Sequence, residues 1–285
     1  MQVPAPFQYQ KAASVEHALT LLAQYGTESM VVAGGHSLLP MMKLRLAHPE
    51  ALIDINGLDL ADIRLVDSRL RIGALVRHAA LLSSSLAGTH LPILHDAERV
   101  IADPIVRNRG TVGGSLCQAD PSEDLSAAFA ALRASLIAVG PAGKRTIPAR
   151  DFFTGPYETA LDHGELLTEI QAPVGKASAY VKVERRAGDW AVGAACAVLT
   201  ISADGIVTDA GIGLAALGAT RFVAAEAEDF LCGGPATEER FAEAGKIAAE
   251  HCNPSADQRG PVVYKRHLAG ELTTRALRLA ASRAA

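Results

Sequence analysis

Two short glycine-rich segments have the residue types and spacing that could bind an anionic ligand. The first, Ala33–Ser37 (AGGHS), follows an apolar run, and the second is Thr111–Ser115 (TVGGS). Glycine permits positive φ and lacks the Cβ that would hold a ligand away from the backbone. Free N–H groups at a helix start, with Ser or Thr hydroxyls beside them, suit a pyrophosphate. Either segment alone could be a plain strand-to-helix turn, but together they predict a dinucleotide-like ligand.

The established phosphate-binding motifs do not fit this sequence. G-x-x-x-x-G-K-[ST] is absent. Gly211, Gly213 and Gly218 imitate G-x-G-x-x-G, but the third glycine comes two positions late and the segment lies in a predicted strand. We interpret these residues as glycines of a packed strand, which excludes a Rossmann or Walker loop.

The cysteines do not predict a metal site. Cys117, Cys196, Cys232 and Cys252 are far apart and form no C-x-x-C pair, so we expect no zinc or iron–sulfur site held by this chain alone. Cys196 has the surroundings of a small core residue. Cys117 follows GGSL and could be a thiol nucleophile, but no histidine is adjacent. We favour packing beside a cofactor for Cys117, and we predict no catalytic residue and no metal ligand in this chain.

Composition excludes two other classes of protein. The chain has 285 residues, 49% of them hydrophobic and 20% charged, with a formal net charge of −4. This balance does not predict a basic nucleic-acid surface. No apolar run approaches the roughly 20 residues of a membrane span, and the N-terminus MQVPAPFQYQ lacks the regions of a signal peptide. We therefore expect a cytoplasmic protein.

The elements that must hold the first glycine segment form a β-α-β unit. Apolar residues at helical spacing predict a helix that starts after Ser14 and stops at Gly26. Short apolar runs at 30–33 and 51–55 predict strands, and 36–46 between them predicts a helix. Such a crossover makes the two strands parallel.

The rest of the chain predicts an α+β protein. Residues 70–171 mix helices and strands without the regular alternation of a doubly wound sheet. A joint is expected at 173–176. Beyond it, strands are expected at 179–184, 192–202 and 207–217, followed by helices near 222–231, 237–251 and 261–283. Strands first and helices after indicate a small α+β domain.

Three stretches carry a resemblance to a known family. AGGHSLLPMMKLRLAHP, IADPIVRNRGTVGGS with the following DPSEDLSAA, and KVERRAGDWA resemble FAD-binding medium subunits of molybdenum hydroxylases, the xanthine dehydrogenase family, and most closely those of aerobic carbon monoxide dehydrogenases. The likeness runs nearly end to end. It implies a two-subdomain FAD-binding domain of p-cresol methylhydroxylase type at 1–175, divided near residue 57. A C-terminal domain of the carbon monoxide dehydrogenase flavoprotein type, an antiparallel sheet plus helices, would occupy 176–285.

The resemblance also implies which residues bind non-covalent FAD. Two segments would wrap its pyrophosphate: Val32, Ala33, Gly34, Gly35, His36, Ser37 and Leu38 on one side, and Thr111, Gly113, Gly114 and Ser115 on the other. Ile101 and Ala102 match a segment that touches the cofactor. Leu167 matches an apolar contact.

Three further matches lie toward the ends of the cofactor. Asp124 matches a carboxylate at the ribose or adenine end, and Lys182 resembles a lysine near the flavin, with the register there uncertain by one residue. Trp190 matches the position beside the isoalloxazine ring, where carbon monoxide dehydrogenases tend to have tyrosine.

Plain structural alternatives exist for several of these residues. His36 could cap a helix, and Asp124 could be a solvated acid at a helix start. Trp190 could belong to the core. Residues 182–186 (KVERR) could be a solvated strand end or part of a subunit interface.

The function implied by the resemblance is electron transfer. A large partner would carry the molybdenum cofactor (molybdopterin) and a small partner two [2Fe–2S] clusters, in a dimer of heterotrimers, with quinone or NAD as acceptor. The complex would oxidise carbon monoxide and could lie at the inner membrane face. Aldehyde, purine and N-heterocycle substrates stay open. The rival hypotheses are a stand-alone flavin oxidase or reductase of related fold, and a non-catalytic nucleotide-binding module.

Overall fold

The chain begins with a small parallel sheet. The computed structural model describes residues 3–175, 177–218 and 220–284. The first elements are β1 (Gln8–Lys11), α1 (Val15–Tyr25), β2 (Ser29–Val32), α2 (Leu38–Lys43) and β3 (Ala51–Asp54). Strand β3 lies between β1 and β2 and pairs with both in parallel, which confirms the predicted β-α-β crossover. The predicted ends of α1 are also confirmed, since Ser14 accepts a hydrogen bond from the N–H of His17 and Gly26 ends the helix with φ +56°.

A five-stranded antiparallel sheet with helices follows. The elements of this region are β4 (Ile63–Val66), β5 (Arg69–Gly73), α3 (His78–Ser83), α4 (Ser85–His90), α5 (Pro92–Val100), α6 (Pro104–Arg107), α7 (Val112–Gln118), α8 (Asp124–Ala131), β6 (Ser135–Gly140), β7 (Gly143–Pro148), α9 (Ala149–Phe152), β8 (Phe153–Gly155), β9 (Glu158–Thr159) and β10 (Leu166–Pro173). The strand order of the five-stranded sheet is β4-β5-β10-β6-β7, and β8 and β9 pair in a separate two-stranded sheet. Helices α5, α7 and α8 bury Leu94, Leu116 and Phe129 in one core with Ile72 of β5. This core is the base on which the second glycine segment sits.

An antiparallel sheet and helices complete the chain. They are β11 (Ser178–Val183), β12 (Gly193–Ile201), β13 (Val207–Ala215), α10 (Ala225–Leu231), α11 (Glu238–His251) and α12 (Val262–Ser282). Strand β12 lies between β11 and β13. Helix α12 packs on β11 and β12, α10 packs on β13, and α11 packs on α10 and α12. Together they form a second apolar core, which includes Leu268 and Leu272. The predicted α+β fold class is confirmed, including the strands-then-helices order at the C-terminal end.

Glycines let α8 lie directly on β13. A Cβ at Gly211 would overlap the carbonyl oxygen of Ala131, and one at Gly213 that of Ala127. The interpretation of these residues as glycines of a packed strand is therefore confirmed, and the core position of Cys196 on the neighbouring strand is confirmed too. Within the described residues, no helix is both long and apolar enough to cross a membrane.

Candidate functional site

The two glycine segments lie against each other. Gly34 follows β2, and a Cβ there would overlap the carbonyl oxygen of Arg109 and lie 2.7 Å from the Cα of Gly110. Only glycine permits so close a backbone approach. We call residues 33–37 the first glycine loop and residues 109–115 the second glycine loop. The fold therefore brings together in space two loops that are far apart in the sequence.

Asn56 and Arg77 tie the two loops together. The amide of Asn56 donates to the carbonyl of Ala33 at 2.7 Å, and its Oδ1 accepts from the Arg77 guanidinium at 2.6 Å. The same guanidinium donates to the carbonyl of Arg109. Asp54 accepts from the Asn56 amide at 2.7 Å, which fixes the amide orientation. Sequence analysis missed both residues, and the only available signal was the polar side chain of Asn56, two residues after the end of β3.

The first glycine loop presents free backbone donors. Among the described residues, the N–H groups of Gly34, Gly35, His36 and Ser37 donate no hydrogen bond. Gly35 has φ +78°, and the side chains of His36 and Ser37 are exposed. A run of successive free N–H groups is an anion-binding arrangement.

The predicted helix after this loop is shorter than expected. We expected residues 36–46, but α2 spans Leu38–Lys43. Its N-cap is Ser37, so the capping alternative for His36 is wrong, and His36 lies in the loop. The C-terminal end fails because Arg45 has φ +61°, which a helix cannot accommodate. The shortening leaves the loop N–H groups outside the helical hydrogen bonds.

Two arginines lie beside the loops. A cavity of about 260 Å³ is lined by Gly34, Gly35, Tyr9, Asn56 and Arg109, among other residues. Burial, together with the nearby Arg109 charge, lowers the pKa of the Arg77 guanidinium. Neither arginine forms an ion pair with a carboxylate in the part of the chain that the structure describes. Two neighbouring cations without a paired anion favour an anionic ligand here.

The second glycine loop differs from the first. Thr111 caps α7, and its Oγ1 accepts from the N–H of Gly114 at 3.1 Å. The N–H of Gly113 donates to Ala74 at 2.9 Å, and that of Ser115 to Thr111 at 3.0 Å. The expectation of free N–H groups in this loop is therefore wrong for these three residues, because the protein already uses them. What this loop can offer a ligand is the Ser115 hydroxyl.

A buried histidine and glutamate stand behind Ser115. Nε2 of His78 lies 3.0 Å from Oγ of Ser115, and Nδ1 lies 2.9 Å from a carboxylate oxygen of Glu98. His78 and Glu98 are both buried. Burial opposes the imidazolium, but the carboxylates of Glu98, Glu123 and Asp124 together outweigh burial and raise the pKa of His78. Sequence analysis missed this pair, since the only signal was one acidic residue on the buried face of α5.

Cys117 has a different environment from Ser115. It is exposed on α7, and His78 bonds to Ser115 instead of the thiol. Within the described residues, no histidine hydrogen-bonds this thiol. The geometry gives no support to the nucleophile alternative, and packing beside a cofactor stays a prediction.

Asp124 and Lys182 form a buried ion pair. Nζ of Lys182 lies 3.0 Å from the Asp124 carboxylate and also donates to the carbonyl of Val100 at 3.0 Å. The hydroxyl of Tyr180 donates to the other Asp124 oxygen. Burial raises the pKa of Asp124, and the Lys182 charge opposes that shift. The solvated alternatives for Asp124 and for Lys182 are both wrong, although Arg185 and Arg186 farther along are exposed.

A third contact joins the segment before α6 to the loop before Trp190. A Cβ at Gly188, which has φ +76°, would lie 2.7 Å from the carbonyl oxygen of Ala102. Trp190 is 44% exposed, so the core alternative for it is wrong. Ile101 is buried beside this contact. A surface tryptophan beside two backbone segments is compatible with stacking on a ring system.

The remaining predicted residues lie under the surface or at its edge. Val32 ends β2 and is buried, and Leu38 starts α2 and is half-buried. Leu167 is buried in the core beneath α7. The direct contact predicted for Leu167 stays a prediction.

The residues present fit a dinucleotide with a diphosphate. The free N–H groups of the first loop and Arg109 lie where the glycine loops meet, the Arg77 guanidinium donates to the Arg109 carbonyl there, and glycine leaves room at the point of closest approach. His36 is exposed and has no hydrogen-bond partner among the described residues.

Comparison with known proteins also indicates an FAD-binding protein, and the similarity covers nearly the whole chain. Residues 5–175 match the family described as the FAD binding domain in molybdopterin dehydrogenase, and residues 178–280 match the CO dehydrogenase flavoprotein C-terminal domain. The carbon monoxide dehydrogenase medium chain of Hydrogenophaga pseudoflava is 41% identical, with 99% of this chain and 100% of that chain covered.

Solved structures of related enzymes show the same similarity in fold. One chain of the carbon monoxide dehydrogenase from H. pseudoflava superposes with a TM-score of 0.95, at 41% identity, covering 99% of this chain and 100% of that one. A chain of quinoline 2-oxidoreductase from Pseudomonas putida 86 gives a TM-score of 0.92 at 32% identity, with 99% and 100% covered. The chain therefore belongs to the FAD-binding medium subunits of the carbon monoxide dehydrogenase-like molybdenum hydroxylases.

Proposed function

We propose that this chain holds FAD as the electron-transfer subunit of a three-subunit hydroxylase. A large partner would carry the molybdenum cofactor and a small partner the [2Fe–2S] clusters, and electrons from those clusters would leave to quinone or NAD. A dimer of heterotrimers, and a cytoplasmic complex that could contact the inner membrane face, belong to the same proposal. The observation that carries it is the convergence of the two glycine loops.

We further propose a division of the chain at residue 175. Residues 1–175 would be the FAD-binding domain, with its subdomains divided near residue 57, and residues 176–285 the C-terminal domain. The limits of the two family matches, 5–175 and 178–280, support this division. The first sheet, β1 to β3, ends at Asp54, and the larger sheet begins at Ile63, which supports a subdomain boundary between them.

The contribution of this chain is position and electrostatics. When bound, FAD can accept electrons one at a time and deliver them in pairs. The free N–H groups of Gly34–Ser37, with Arg77 and Arg109, would hold the diphosphate. Ala102, Lys182 and Trp190 would lie toward the flavin. The Asp124 carboxylate lies 3.0 Å from Nζ of Lys182, so it would lie at the same end of the cofactor and not at the ribose or adenine end that the resemblance implied. None of these residues need exchange a proton with a substrate, because substrate chemistry belongs to the large partner.

Carbon monoxide is the proposed substrate of the complex. The 41% identity with a carbon monoxide dehydrogenase medium chain over full length supports it. The quinoline enzyme shares the fold at 32% identity, so N-heterocycles, aldehydes and purines remain substrate alternatives. Their selection would depend on residues of the large partner.

Reconstitution tests the proposal against its rivals. The purified chain should be yellow from bound FAD and inactive alone, and it should support oxidation of carbon monoxide with a dye acceptor only when combined with the two partners. Turnover by the chain alone would favour a stand-alone flavin oxidase or reductase. A colourless chain that cannot be loaded with FAD would favour a nucleotide-binding module.

A further inference from the structure

The Ser115–His78–Glu98 chain of hydrogen bonds leads from the buried core to the meeting point of the glycine loops. His78 lies directly under the second loop, because a Cβ at Gly110 would sit 2.8 Å from Cδ2 of the imidazole. Gly110 in turn packs on Gly34. His78 therefore contacts both the Ser115 hydroxyl and Gly110, the residue of the second loop that packs on the first loop.

Donor and acceptor rules give this chain of hydrogen bonds two states. With one proton on the pair, Nδ1–H of His78 donates to the Glu98 carboxylate, and Nε2 must accept the proton of the Ser115 hydroxyl. With two protons on the pair, Nε2–H donates to Oγ of Ser115 instead. The hydroxyl hydrogen of Ser115 is then free to point away from His78.

We propose that the His78–Glu98 pair positions the Ser115 hydroxyl, which donates to the FAD diphosphate when the pair holds two protons and is withdrawn when it holds one. This inference rests on the proposed FAD-binding function. His78 and Glu98 are positioning residues in it, since they act through Ser115. Binding of FAD then favours the doubly protonated pair, and the two events are linked.

The charges around His78 favour the doubly protonated state. Glu98 faces it from α5, and Glu123 and Asp124 act from the start of α8. Burial raises the pKa of Glu98, so the second proton is retained on either member of the pair. Arg107 at the end of α6 opposes this effect at Glu98. These three carboxyl groups outnumber the opposing cations, which are Arg107 and the Lys182 paired with Asp124, and they therefore stabilise the proton that the proposal requires.

The test is the FAD affinity of the full-length chain, freed of flavin, measured by fluorescence titration from neutral to alkaline pH. The affinity for FAD should fall as the pH rises, with the slope expected for the loss of a single proton. Deprotonation of the His78–Glu98 pair withdraws the Ser115 hydroxyl from the diphosphate. The diphosphate of FAD is a diester and does not change charge in this range. Ser115→Ala should bind FAD about tenfold more weakly near neutral pH, the size expected for a hydrogen bond to a charged group, and lose the pH dependence.

Two further variants distinguish positioning from packing. Glu98→Gln removes the carboxylate that holds the proton, so the fall in affinity should move to lower pH. His78→Gln keeps an N–H directed at Ser115 but cannot titrate, so its affinity should stay high and flat. Ser122→Ala, which removes a nearby hydroxyl outside the loops, should match the unaltered chain. ¹⁵N NMR of His78 should show FAD raising the pKa of its imidazole.

The outcomes separate this inference from the function on which it rests. If FAD binds with an affinity independent of pH, or if Ser115→Ala keeps the original pH profile, the inference is overturned and FAD binding stands. If the chain binds no FAD at any pH, both are overturned. Should His78→Gln fail to fold, the profiles of the unaltered chain and of Ser115→Ala still decide.

Discussion

Gly34 and Gly110 pack backbone to backbone, so that a Cβ on Gly34 would lie 2.7 Å from the Cα of Gly110. This contact sets the first glycine loop, with its free N–H groups, against residues 109–110 of the second loop. The geometry of the proposed diphosphate site therefore depends on the absence of one methyl group.

Gly34→Ala should release FAD while the rest of the fold persists. The added methyl group must displace the carbonyl of Arg109, and overpacking of this kind costs about 1–3 kcal/mol. Because the two loops are forced apart, FAD affinity should fall at least about tenfold. Flavin absorbance per mole of purified protein measures the effect.

Gly88→Ala is the matched control for this substitution. Gly88 lies in α4, and nothing lies within 4 Å of the position that its Cβ would occupy. It should keep full flavin content and gain up to about 1 kcal/mol of stability from helix propensity. Equal flavin content in the two variants would contradict the role given to the loop contact.

Asn56→Ala should weaken FAD binding and stability together. It removes the amide that holds the Ala33 carbonyl and the acceptor of Arg77, and each group left unpaired costs about 1–3 kcal/mol. Urea unfolding and FAD titration measure the two effects. Asn108→Ala removes an exposed amide near the same loop and should change neither quantity. If both variants behave alike, Asn56 does not join the loops.

Lys182→Met should destabilise the chain strongly. It leaves the buried carboxylate of Asp124 without its cation, and breaking a buried pair from one side costs about 3–5 kcal/mol. The exposed pair between Lys246 and Glu243 offers a control, since Lys246→Met should leave the urea midpoint nearly unchanged. Similar urea midpoints for the two variants would show that the buried pair contributes little.

Glu123 should make stability fall as pH rises through the acidic range. Burial raises the pKa of its carboxyl to about 7 from a usual 4.5, against hydrogen bonds from Ser126 and Leu125. The folded chain then binds more protons than the unfolded chain between about pH 4.5 and about pH 7. The protonated Glu123 carboxyl contributes its full stabilisation below about pH 4.5, and this contribution is lost as the pH rises through about 7.

Glu123→Gln should remove this component of the pH dependence, which amounts to roughly 3 kcal/mol because a tenfold change in proton affinity corresponds to about 1.36 kcal/mol. The free energy of unfolding, measured by urea at several pH values, gives the slope. Glu239→Gln alters an exposed carboxyl and should leave the slope as it is. An unchanged slope in Glu123→Gln would mean that its carboxyl is ionised in the folded chain.

The sequence was sufficient to predict what local pattern controls. The β-α-β crossover, the strands-then-helices order after 173–176 and the packed glycines of β13 all follow from periodicity and residue type, and the structure confirms them. The family followed from quoted stretches such as AGGHS and TVGGS. These are properties of short segments, which propensity and spacing determine directly.

The sequence was insufficient where partners come from distant segments. Asn56 and Arg77 bind across the two loops, and His78 meets Glu98 from another helix, so no local pattern identifies them. Asp124 was open to a solvated interpretation because its burial depends on Tyr180 and Lys182 of β11. The use of the second loop's N–H groups by Ala74 and Thr111 is likewise a tertiary effect.

The measurement that tests the central claim most directly is a crystal structure of the chain with FAD bound. We predict the diphosphate within hydrogen-bond distance of the N–H groups of Gly34–Ser37, with the Ser115 hydroxyl on its other side. A diphosphate bound elsewhere, with the two glycine loops contacting only each other, would contradict the account.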